Sequence, residues 1–365
     1  MAILGLDEVG RGPWAGPLVI GAVILKSPKT KMDLLLDAED FLSGASSEFS
    51  PVWDDLTDSK ALTRTRREDL APEIEKFAFA TGLGWVSSSE VDELGLAEAL
   101  RTAAKRAVVD CLKHAGLESP EKYVGGNQNI DLSIFPADEI IIDGTVNFLR
   151  GTPLESRVST LKKADLLIKE VSAASIIAKV ARDNYMINVV AKKYPEYGFE
   201  NHVGYGTKKH QEMLNIYGPC PEHRVSVRPV SKALGLNPAK KSSVKDTSEV
   251  GRVAEEVVAE YLRKKGHKIL AHNYKTKFYE IDLISATKDH IYFTEVKYRK
   301  SAFYGTPLET ITKKKQRQMY FAAEAFLDYL GQRLGRDPET LPSPVLAAAS
   351  VAGKDYNFET WLPLV

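Results

Sequence analysis

Four carboxylate side chains stand at the ends of strand-like segments or at the start of a helix. Asp7 and Glu8 follow the apolar run 2–6 and precede a glycine-rich turn, and Asp143 ends the short apolar run EIIID. Asp165 precedes the longest helical pattern of the chain. Carboxylates at the carboxyl ends of strands point into the crevice in which an α/β sheet holds its ligands. These four residues are therefore candidates for one shared site.

Four negative groups in one pocket repel one another unless cations compensate their charge. Two Mg²⁺ ions about 3.5–4 Å apart would do so, and would hold both the attacking water and the leaving oxygen of a phosphodiester. A single aspartate considered alone is more often a turn or cap residue. The adjacent pair Asp7 and Glu8 favours a site, because one of two neighbouring strand residues must face inward.

A polar helix face follows Asp165. Ser175, Lys179 and Arg182 are spaced at i, i+4 and i+7, so they share one side of the predicted helix. The apolar residues of the same segment occupy the opposite arc, which is typical of a helix packed on a core. A surface of Ser, Lys and Arg can follow a phosphate backbone, and a solvated helix face fits the same spacing equally well.

The elements that would position these residues alternate between strand and helix patterns. The apolar runs 2–6 and 18–25 flank the turn GRGPWAGP and predict a hairpin with a long loop. Thr63 and Ser89 are predicted helix N-caps. The further predicted elements are a helix over 64–76, a strand over 77–86, a helix through 96–114, a strand over 139–143 and a helix over 170–193. This order predicts an α/β sheet with helices on both faces.

Six sequence motifs of this region resemble those of the ribonuclease HII (type 2 ribonuclease H) family. In chain order they are DEVGRGPWAGP (7–17), LTDSKALT (56–63), IIDG (141–144), ADLLIKEVSAASIIAKVARD (164–183), YGFENHVGYGTKKH (197–210) and EHRVSV (222–227). Together they extend over most of residues 1–230. The resemblance implies a ribonuclease H-like mixed sheet flanked by helices, and a catalytic domain over residues 1–235.

The same resemblance assigns roles to individual residues. It implies that the catalytic metal ligands are Asp7, Glu8, Asp143 and Asp165, with Asp7 shared between two ions. It implies that Gly10, Arg11 and Gly12 read the ribose 2′-hydroxyl, and glycine permits that close approach because it has no Cβ. The remaining substrate contacts that it implies are Tyr205 on the sugar, and Ser59, Lys60, Ser175, Lys179 and Arg182 on phosphates.

A metal-dependent endonuclease is the activity that the resemblance implies. Such an enzyme hydrolyses the phosphodiester on the 5′ side of a ribonucleotide, in RNA/DNA hybrids or in ribonucleotide-containing duplex DNA, and leaves a 3′-hydroxyl and a 5′-phosphate. The expected cofactors are Mg²⁺ or Mn²⁺. The alternative from another class is a non-catalytic nucleic-acid-binding scaffold, whose binding would be salt-sensitive and would survive Asp143→Asn.

A second domain is predicted after a linker-like segment. Residues 231–250 are rich in Lys and Ser and lack apolar periodicity. This composition predicts a linker over 236–249. Residue 250 then begins an amphipathic helix pattern with two strand patterns after it. The second domain is therefore predicted over 250–365.

Carboxylates and a lysine share the faces of two strands in this second domain. Glu280 and Asp282 lie on one face of the first strand, and Glu295 and Lys297 lie on one face of the next. Such residues converging on a hairpin can hold a metal ion beside a scissile phosphate. A cross-strand salt bridge on a solvated face is the commoner meaning of this spacing.

Residues 251–327 resemble the small bacterial YraN-type, endonuclease-like proteins. The matching runs are GRVAEEVVAEYLRKKGHKILAHNY, EIDLI, FTEVKYRKSAFYGTPLE and TKKKQRQ. The resemblance implies a smaller α/β fold of the restriction-endonuclease kind, with phosphate contacts from 313–317. The second metal site that it implies is formed by Glu255, Asp282, Glu295 and Lys297.

The bulk properties bound the class of protein. At 365 residues with 44% hydrophobic residues, the chain can bury the cores of two or three domains. The two cysteines have no metal-binding spacing, no apolar run reaches the roughly 20 residues of a membrane span, and the start lacks a signal-peptide pattern. Net charge is zero, so contacts to a polyanion would come from local basic faces. A cytoplasmic protein is expected, with surface loops at 29–55 and 118–137.

Overall fold

Two α/β units make up the chain in a computed structural model, which describes residues 2–25, 56, 62–126, 130–236, 249–276, 279–299 and 311–364. The contacts divide the chain into Met1–His210 and Gln211–Val365. Each unit contains a five-stranded mixed sheet, which confirms the predicted α/β class. The predicted linker lies almost entirely outside the described residues, as does the 29–55 segment, so the domain boundaries at 235 and 250 stay predictions.

The sheet of the first unit has the order β3–β2–β1–β4–β5. Its strands are β1 (Ile3–Val9), β2 (Leu18–Ile24), β3 (Ala80–Val86), β4 (Glu139–Asp143) and β5 (Val158–Leu161). The pairs β1–β2 and β2–β3 are antiparallel, so the predicted hairpin is confirmed. The pairs β1–β4 and β4–β5 are parallel. The carboxyl ends of β1 and β4 therefore lie at the same edge of the sheet.

Two long helices pack on opposite faces of this sheet. The helix Leu96–His114 packs against the β2 side chains at even-numbered positions. The helix Lys169–Tyr185 packs on Val23, on the opposite face of the sheet. At Gly5 and Gly21 a Cβ would collide with the backbone of the second helix, so the two glycines let it lie directly on the sheet. This close packing fixes the helix that follows Asp165.

The helices of the first unit are α1 (Arg64–Phe77), α2 (Ser88–Leu94), α3 (Leu96–His114), α4 (Ala164–Leu167), α5 (Lys169–Tyr185), α6 (Ala191–Lys193) and α7 (Phe199–His202), and α8 (Lys208–Tyr217) crosses the division at residue 210. A π-helical turn, Met186–Val190, continues α5. Short 3-10 turns are Pro120–Val124, Glu155–Arg157 and Pro195–Tyr197.

One predicted helix cap is confirmed and one is wrong. Thr63 caps α1, and its hydroxyl accepts from the Arg66 N–H at 3.2 Å. The cap of α2 is Ser87 rather than Ser89, because Glu90 stands three residues after Ser87 and completes a reciprocal capping box. The helix start is thus set by the serine that has the correctly spaced glutamate.

The sheet of the second unit has the order β10–β9–β8–β7–β6, with β8 and β9 parallel and the other neighbours antiparallel. Its strands are β6 (Lys268–Lys275), β7 (Glu280–Ala286), β8 (His290–Arg299), β9 (Ser343–Ala352) and β10 (Asn357–Pro363). Its helices are α9 (Arg228–Ala233), α10 (Glu249–Lys264) and α11 (Lys313–Leu334), with a 3-10 turn at Pro338–Thr340. Among the helices of the described ranges, none has both the length and the apolar character for crossing a membrane.

Candidate active site

Asp7 and Asp143 meet at the carboxyl edge of the first sheet. Leu6 of β1 lies opposite Ile142 of β4 in parallel register, so the next residue on each strand is one of the two aspartates. The charge of Asp143 acts on the Asp7 carboxyl. Asp7 is 7% exposed. Parallel pairing of two strands that are distant in sequence thus brings two of the predicted ligands together.

Asp165 enters the same edge through α4. The N–H of Ala164 donates to Oδ1 of Asp143 at 2.8 Å, and Asp165 is the next residue. Asp165 is itself buried. The bond from Ala164 therefore fastens the start of α4 to the end of β4, and carries a third predicted ligand to the edge that holds Asp7 and Asp143.

Glu8 completes the set of four acidic residues. Its Oε1 accepts from the Arg11 guanidinium at 2.8 Å, and its own N–H donates to Oδ1 of Asp7 at 2.8 Å. Its Oε2 is buried and has no hydrogen-bond partner among the residues that the structure describes. A buried carboxylate oxygen without a partner is costly, and a cation ligand would remove that cost.

The electrostatics of these residues fit a cation. Burial, joined by the charges of Glu8 and Asp143, raises the pKa of Asp7 to about 7, although the Ser175 hydroxyl opposes the shift. Burial also raises the pKa of Glu8 against the effect of Arg11. Within the described ranges, no three His, Cys, Asp or Glu side chains already stand grouped around one point. A divalent ion would compensate the repulsion between these like charges.

The glycine-rich turn and Tyr205 face each other beside these carboxylates. A Cβ on Gly12 would lie 3.9 Å from Cε1 of Tyr205, which is the nearest atom in the described ranges. Tyr205 is 41% exposed, and Lys179 Nζ lies 5.9 Å from the centre of its ring. Arg11 is half-exposed and forms an ion pair with Glu8. The space next to Gly12 is therefore bounded by an aromatic ring with a lysine behind it.

Gly10 differs from Gly12 in what it approaches. Gly10 has φ +97°, and a Cβ there would lie 2.6 Å from Nε of Arg182 and from the Pro17 carbonyl oxygen. The missing Cβ of Gly10 thus makes room for the Arg182 side chain and the Pro17 carbonyl, not for a substrate. A sugar contact from Gly10 could come only from its backbone groups.

The predicted phosphate-binding face of α5 is wrong at Arg182. The residue is fully buried, and its guanidinium donates to the carbonyls of Pro17 at 2.9 Å, Val203 at 3.0 Å and Ala15 at 3.1 Å. Helical spacing put Arg182 on the polar side correctly, but residues 15–17 and 203 cover that side. A guanidinium enclosed in this way cannot reach a phosphate.

The other two residues of that face have separate surroundings. Ser175 is 3% exposed, and its hydroxyl hydrogen-bonds the Asp7 carboxylate, so it supports a carboxylate where a phosphate contact was predicted. Lys179 forms an ion pair of 2.8 Å with Asp183 and keeps partial exposure near Tyr205. Among Ser175, Lys179 and Arg182, only Lys179 is placed where it could contact a phosphate. Ser59 and Lys60 lie outside the described residues.

Two buried histidines beneath Tyr205 were missed by the sequence analysis. The rings of His202 and His210 stack with centroids 4.6 Å apart. His210 Nδ1 lies 2.9 Å from the Tyr205 carbonyl oxygen, and the Gly204 N–H donates to His202 Nδ1. Burial lowers the pKa of both, that of His210 to about 4. Two histidines flank the run GYG in the sequence, and this pattern could have predicted that they support the loop that carries Tyr205.

The second unit also brings its predicted residues together. The N–H of Val296 donates to Oδ2 of Asp282 at 2.7 Å, and Glu295 acts on the Asp282 carboxyl. Burial and then Glu295 raise the pKa of Asp282 to about 7. Glu255 is 6% exposed and also acts on Asp282, and burial raises its pKa as well. Convergence of the three carboxylates favours a site over a solvated sheet face.

Two lysines compensate Glu295 in this second unit. Lys297 Nζ lies 2.6 Å from Oε1 and Lys315 Nζ lies 2.7 Å from Oε2. Lys315 belongs to the basic run 313–317, whose role on phosphate stays a prediction, and here it forms an ion pair with Glu295. Asn273, which donates to Oε2 of Glu255 at 2.6 Å, was not predicted at all. The contacts Lys315–Glu295 and Asn273–Glu255 each join residues far apart in the sequence.

Comparison with known proteins gives a family for each half of the chain. The family model described as "Ribonuclease HII" matches residues 54–232, and that of "Uncharacterised protein family UPF0102" matches residues 254–342. The first match includes five of the six ribonuclease HII motifs, and the motif at residues 7–17 precedes the matched range. The second corresponds to the YraN-type segment, and its function is not established.

Two curated relatives agree with the first match, and one solved structure aligns with part of the chain. Ribonuclease HII of Vibrio parahaemolyticus serotype O3:K6 is 37% identical over 235 residues, which cover 64% of this chain and 88% of that protein. Ribonuclease HII of Geobacillus kaustophilus is 38% identical over 232 residues, covering 64% of this chain and 70% of that protein. The crystal structure of ribonuclease H2 from Pyrococcus horikoshii OT3 aligns with a TM-score of 0.43 and 26% identity, over 64% of this chain and 97% of that one.

Proposed function

The chain belongs to the ribonuclease HII family, and from that membership we propose that it cleaves the phosphodiester on the 5′ side of a ribonucleotide. The first domain is a metal-dependent endoribonuclease that acts on RNA–DNA hybrids. The finer proposal adds duplex DNA with a single ribonucleotide as a substrate, and 3′-hydroxyl and 5′-phosphate ends as products. We assign this domain to residues 1–235, with a ribonuclease H-like sheet.

The placement of Asp7 and Asp143 at one sheet edge, with Asp165 at the start of the helix that is fastened there, carries this proposal. With Glu8, these residues would hold Mg²⁺ or Mn²⁺, since hard carboxylate oxygens suit both ions. Two such ions, when bound, activate water and stabilise the negative charge that develops on the phosphate. The unpartnered Oε2 of Glu8 and the raised pKa of Asp7 support this ligand set.

The residues around the carboxylates orient them and the substrate. The Ser175 hydroxyl holds Asp7, and the Ala164 N–H holds Asp143, so each carboxylate is presented in one orientation. Tyr205 beside Gly12 would stack on the ribose, while backbone groups of 10–12 would read its 2′-hydroxyl. Lys179 would supply a cation to the neighbouring phosphate.

The test is incubation of the full chain with a DNA duplex that holds one ribonucleotide. We expect one nick on its 5′ side in Mg²⁺ or Mn²⁺, none in EDTA, and none in an all-DNA duplex of the same sequence within the time of that reaction. Binding without a nick, weakened by salt and unchanged in Asp143→Asn, would instead support the non-catalytic scaffold.

For residues 250–365 we propose a DNA-binding domain with a second metal-dependent cleavage site. Asp282, Glu295 and Glu255 would hold the ion, and Lys297 would lie next to the scissile phosphate. The observation in favour is that Glu255 and Glu295 are buried and Asp282 is half-buried beside two lysines, which a solvated salt bridge does not require. Through the linker, DNA binding by this domain would also raise the local concentration of the first domain's substrate.

The second site predicts slow, metal-dependent nicking of DNA without ribonucleotides. This nicking should persist in Asp7→Asn and fall about a hundredfold or more in Asp282→Asn, because a metal contributes several kcal/mol. Glu255→Gln and Glu256→Gln form a matched pair, since Glu255 is buried and Glu256 is exposed in an ion pair with Arg263. Only Glu255→Gln should lower the rate of this nicking. Absence of any nick, with DNA binding retained, would reduce the domain to a tether.

A further inference from the structure

We propose that Arg182 is a positioning residue that fixes the two substrate loops against each other. The first loop is residues 10–17 and the second loop is residues 203–207. The inference rests on the proposed function, in which Gly12 and Tyr205 hold the ribose between them. Arg182 touches neither the substrate nor the carboxylates in this role, and it acts through the backbone of both loops.

The three hydrogen bonds of Arg182 join the loops directly. Nε and Nη2 donate to the carbonyls of Pro17 and Ala15 in the first loop, while Nη1 donates to the carbonyl of Val203 in the second. Arg182 and these three partners all belong to the first unit. Since a guanidinium is planar and rigid, bonds from its separate nitrogens fix the carbonyls at set angles and distances.

The backbone of both loops is shaped around this contact. Gly10 and Gly16 have φ of +97° and +88°, and a Cβ at either one would lie within 3.2 Å of the Arg182 side chain. Gly204 has φ +87°, and a Cβ there would collide with the Ala15 carbonyl. Glycines thus permit the guanidinium and the two loops to approach closely.

Further contacts also hold the first loop and the second loop together. The N–H groups of Trp14 and Ala15 both point to the Gly204 carbonyl, at 2.8 and 3.3 Å. The Trp14 ring lies against His210, which in turn contacts the Tyr205 carbonyl. Tyr205 therefore sits on backbone that is fastened on both sides. Its distance from Gly12 is set by these contacts, among which Arg182 donates hydrogen bonds to backbone carbonyls of both loops.

The test compares Arg182→Lys with the wild type on the single-ribonucleotide duplex. Lysine keeps the charge but cannot hold three carbonyls in a plane. We expect kcat/KM to fall by roughly 10²-fold, largely through KM, because a displacement of about 1 Å has that effect. The Mg²⁺ concentration for half-maximal activity should stay within about twofold, because the carboxylates are held by other residues.

A double-mutant cycle separates positioning from general structural support. If Arg182 acts through Tyr205, its substitution should cost less than about tenfold in the Tyr205→Ala background. Arg157→Lys is the matched control, because Arg157 also donates to two backbone carbonyls, those of Ala137 and Leu132, in the same unit. It should lower the unfolding temperature and leave KM unchanged.

Several outcomes would overturn the proposal. They are additive effects in the cycle, a wild-type KM in Arg182→Lys, or an equal loss in Arg157→Lys. If Arg182→Lys does not fold, Gly204→Ala replaces it, since its methyl group meets the Ala15 carbonyl and pushes the loops apart. A wild-type KM in Gly204→Ala would overturn the proposal equally. Failure of the proposed function would be visible in the wild type, which would then not nick the duplex.

Discussion

Asp7→Asn will abolish nicking of the single-ribonucleotide duplex, with a loss of about a thousandfold or more. The charges of both Glu8 and Asp143 act on Asp7, and its amide replacement cannot balance the charge of divalent ions. Losing several kcal/mol of metal-borne stabilisation costs a factor of ten for each ~1.4 kcal/mol. The measurement is the initial nicking rate at saturating Mg²⁺. Asp138→Asn is the control, because Asp138 lies at the other end of β4 and accepts from the Ala2 N–H.

The same substitution should stabilise the metal-free protein above neutral pH. The pKa of Asp7 rises from 3.8 to about 7 on folding, so the folded state binds more protons than the unfolded state between these values. Stability therefore falls as pH rises from about 4 to about 7, by at most about 4 kcal/mol. Asp7→Asn removes this dependence in EDTA, and also reduces the rise in unfolding temperature with Mg²⁺. An equal Mg²⁺-induced rise in both proteins would contradict Asp7 as a ligand.

Gly12→Ala will reduce nicking by about a hundredfold without loss of stability. Within the described ranges, the nearest atom to the new methyl group is Cε1 of Tyr205, at an ordinary contact distance of 3.9 Å, and the φ of Gly12 is not left-handed. The folded protein can thus accept it, and a Gly→Ala change at such a position gains about 0.4–1 kcal/mol. The methyl group would occupy the space proposed for the ribose, and displacing the sugar by about 1 Å costs roughly 10²-fold.

Two other glycines make this prediction specific. Gly10→Ala should lose both activity and stability, because its φ is +97° and its methyl group meets Arg182. Gly126→Ala should lose neither, since no described atom beyond its chain neighbours lies within 4 Å of its Cβ. Nicking rates and unfolding temperatures of the three variants give three distinct patterns. Wild-type nicking by Gly12→Ala would place the sugar elsewhere.

Much of the carboxylate site was predictable because it depends on short segments of regular structure. Asp7 and Asp143 end apolar runs, and both runs become buried strands; Asp143 is the last residue of β4, while β1 continues two residues beyond Asp7. Thr63 was predictable as a cap for the same local reason. Ser89 was not a cap, because two serines compete there and the glutamate spacing selects Ser87.

The roles on α5 were less predictable because a helix face does not reveal what covers it. Spacing placed Ser175, Lys179 and Arg182 on one side, and all three do have polar partners. Those partners are a carboxylate, a neighbouring aspartate and three backbone carbonyls. In the second unit, Glu295 likewise meets Lys315 only because α11 returns to β8.

The order of residues alone therefore settles which groups can do the chemistry and on which elements they stand. Apolar residues repeat every 2 positions in a strand and every 3.6 in a helix, so the spacing within each segment predicts which of its faces is buried. Tertiary packing determines which polar groups remain open to a substrate. Arg182 shows the physical reason, since its three acceptors lie 165, 167 and 21 residues away in the chain, and no local pattern encodes which distant loops will enclose a charged side chain.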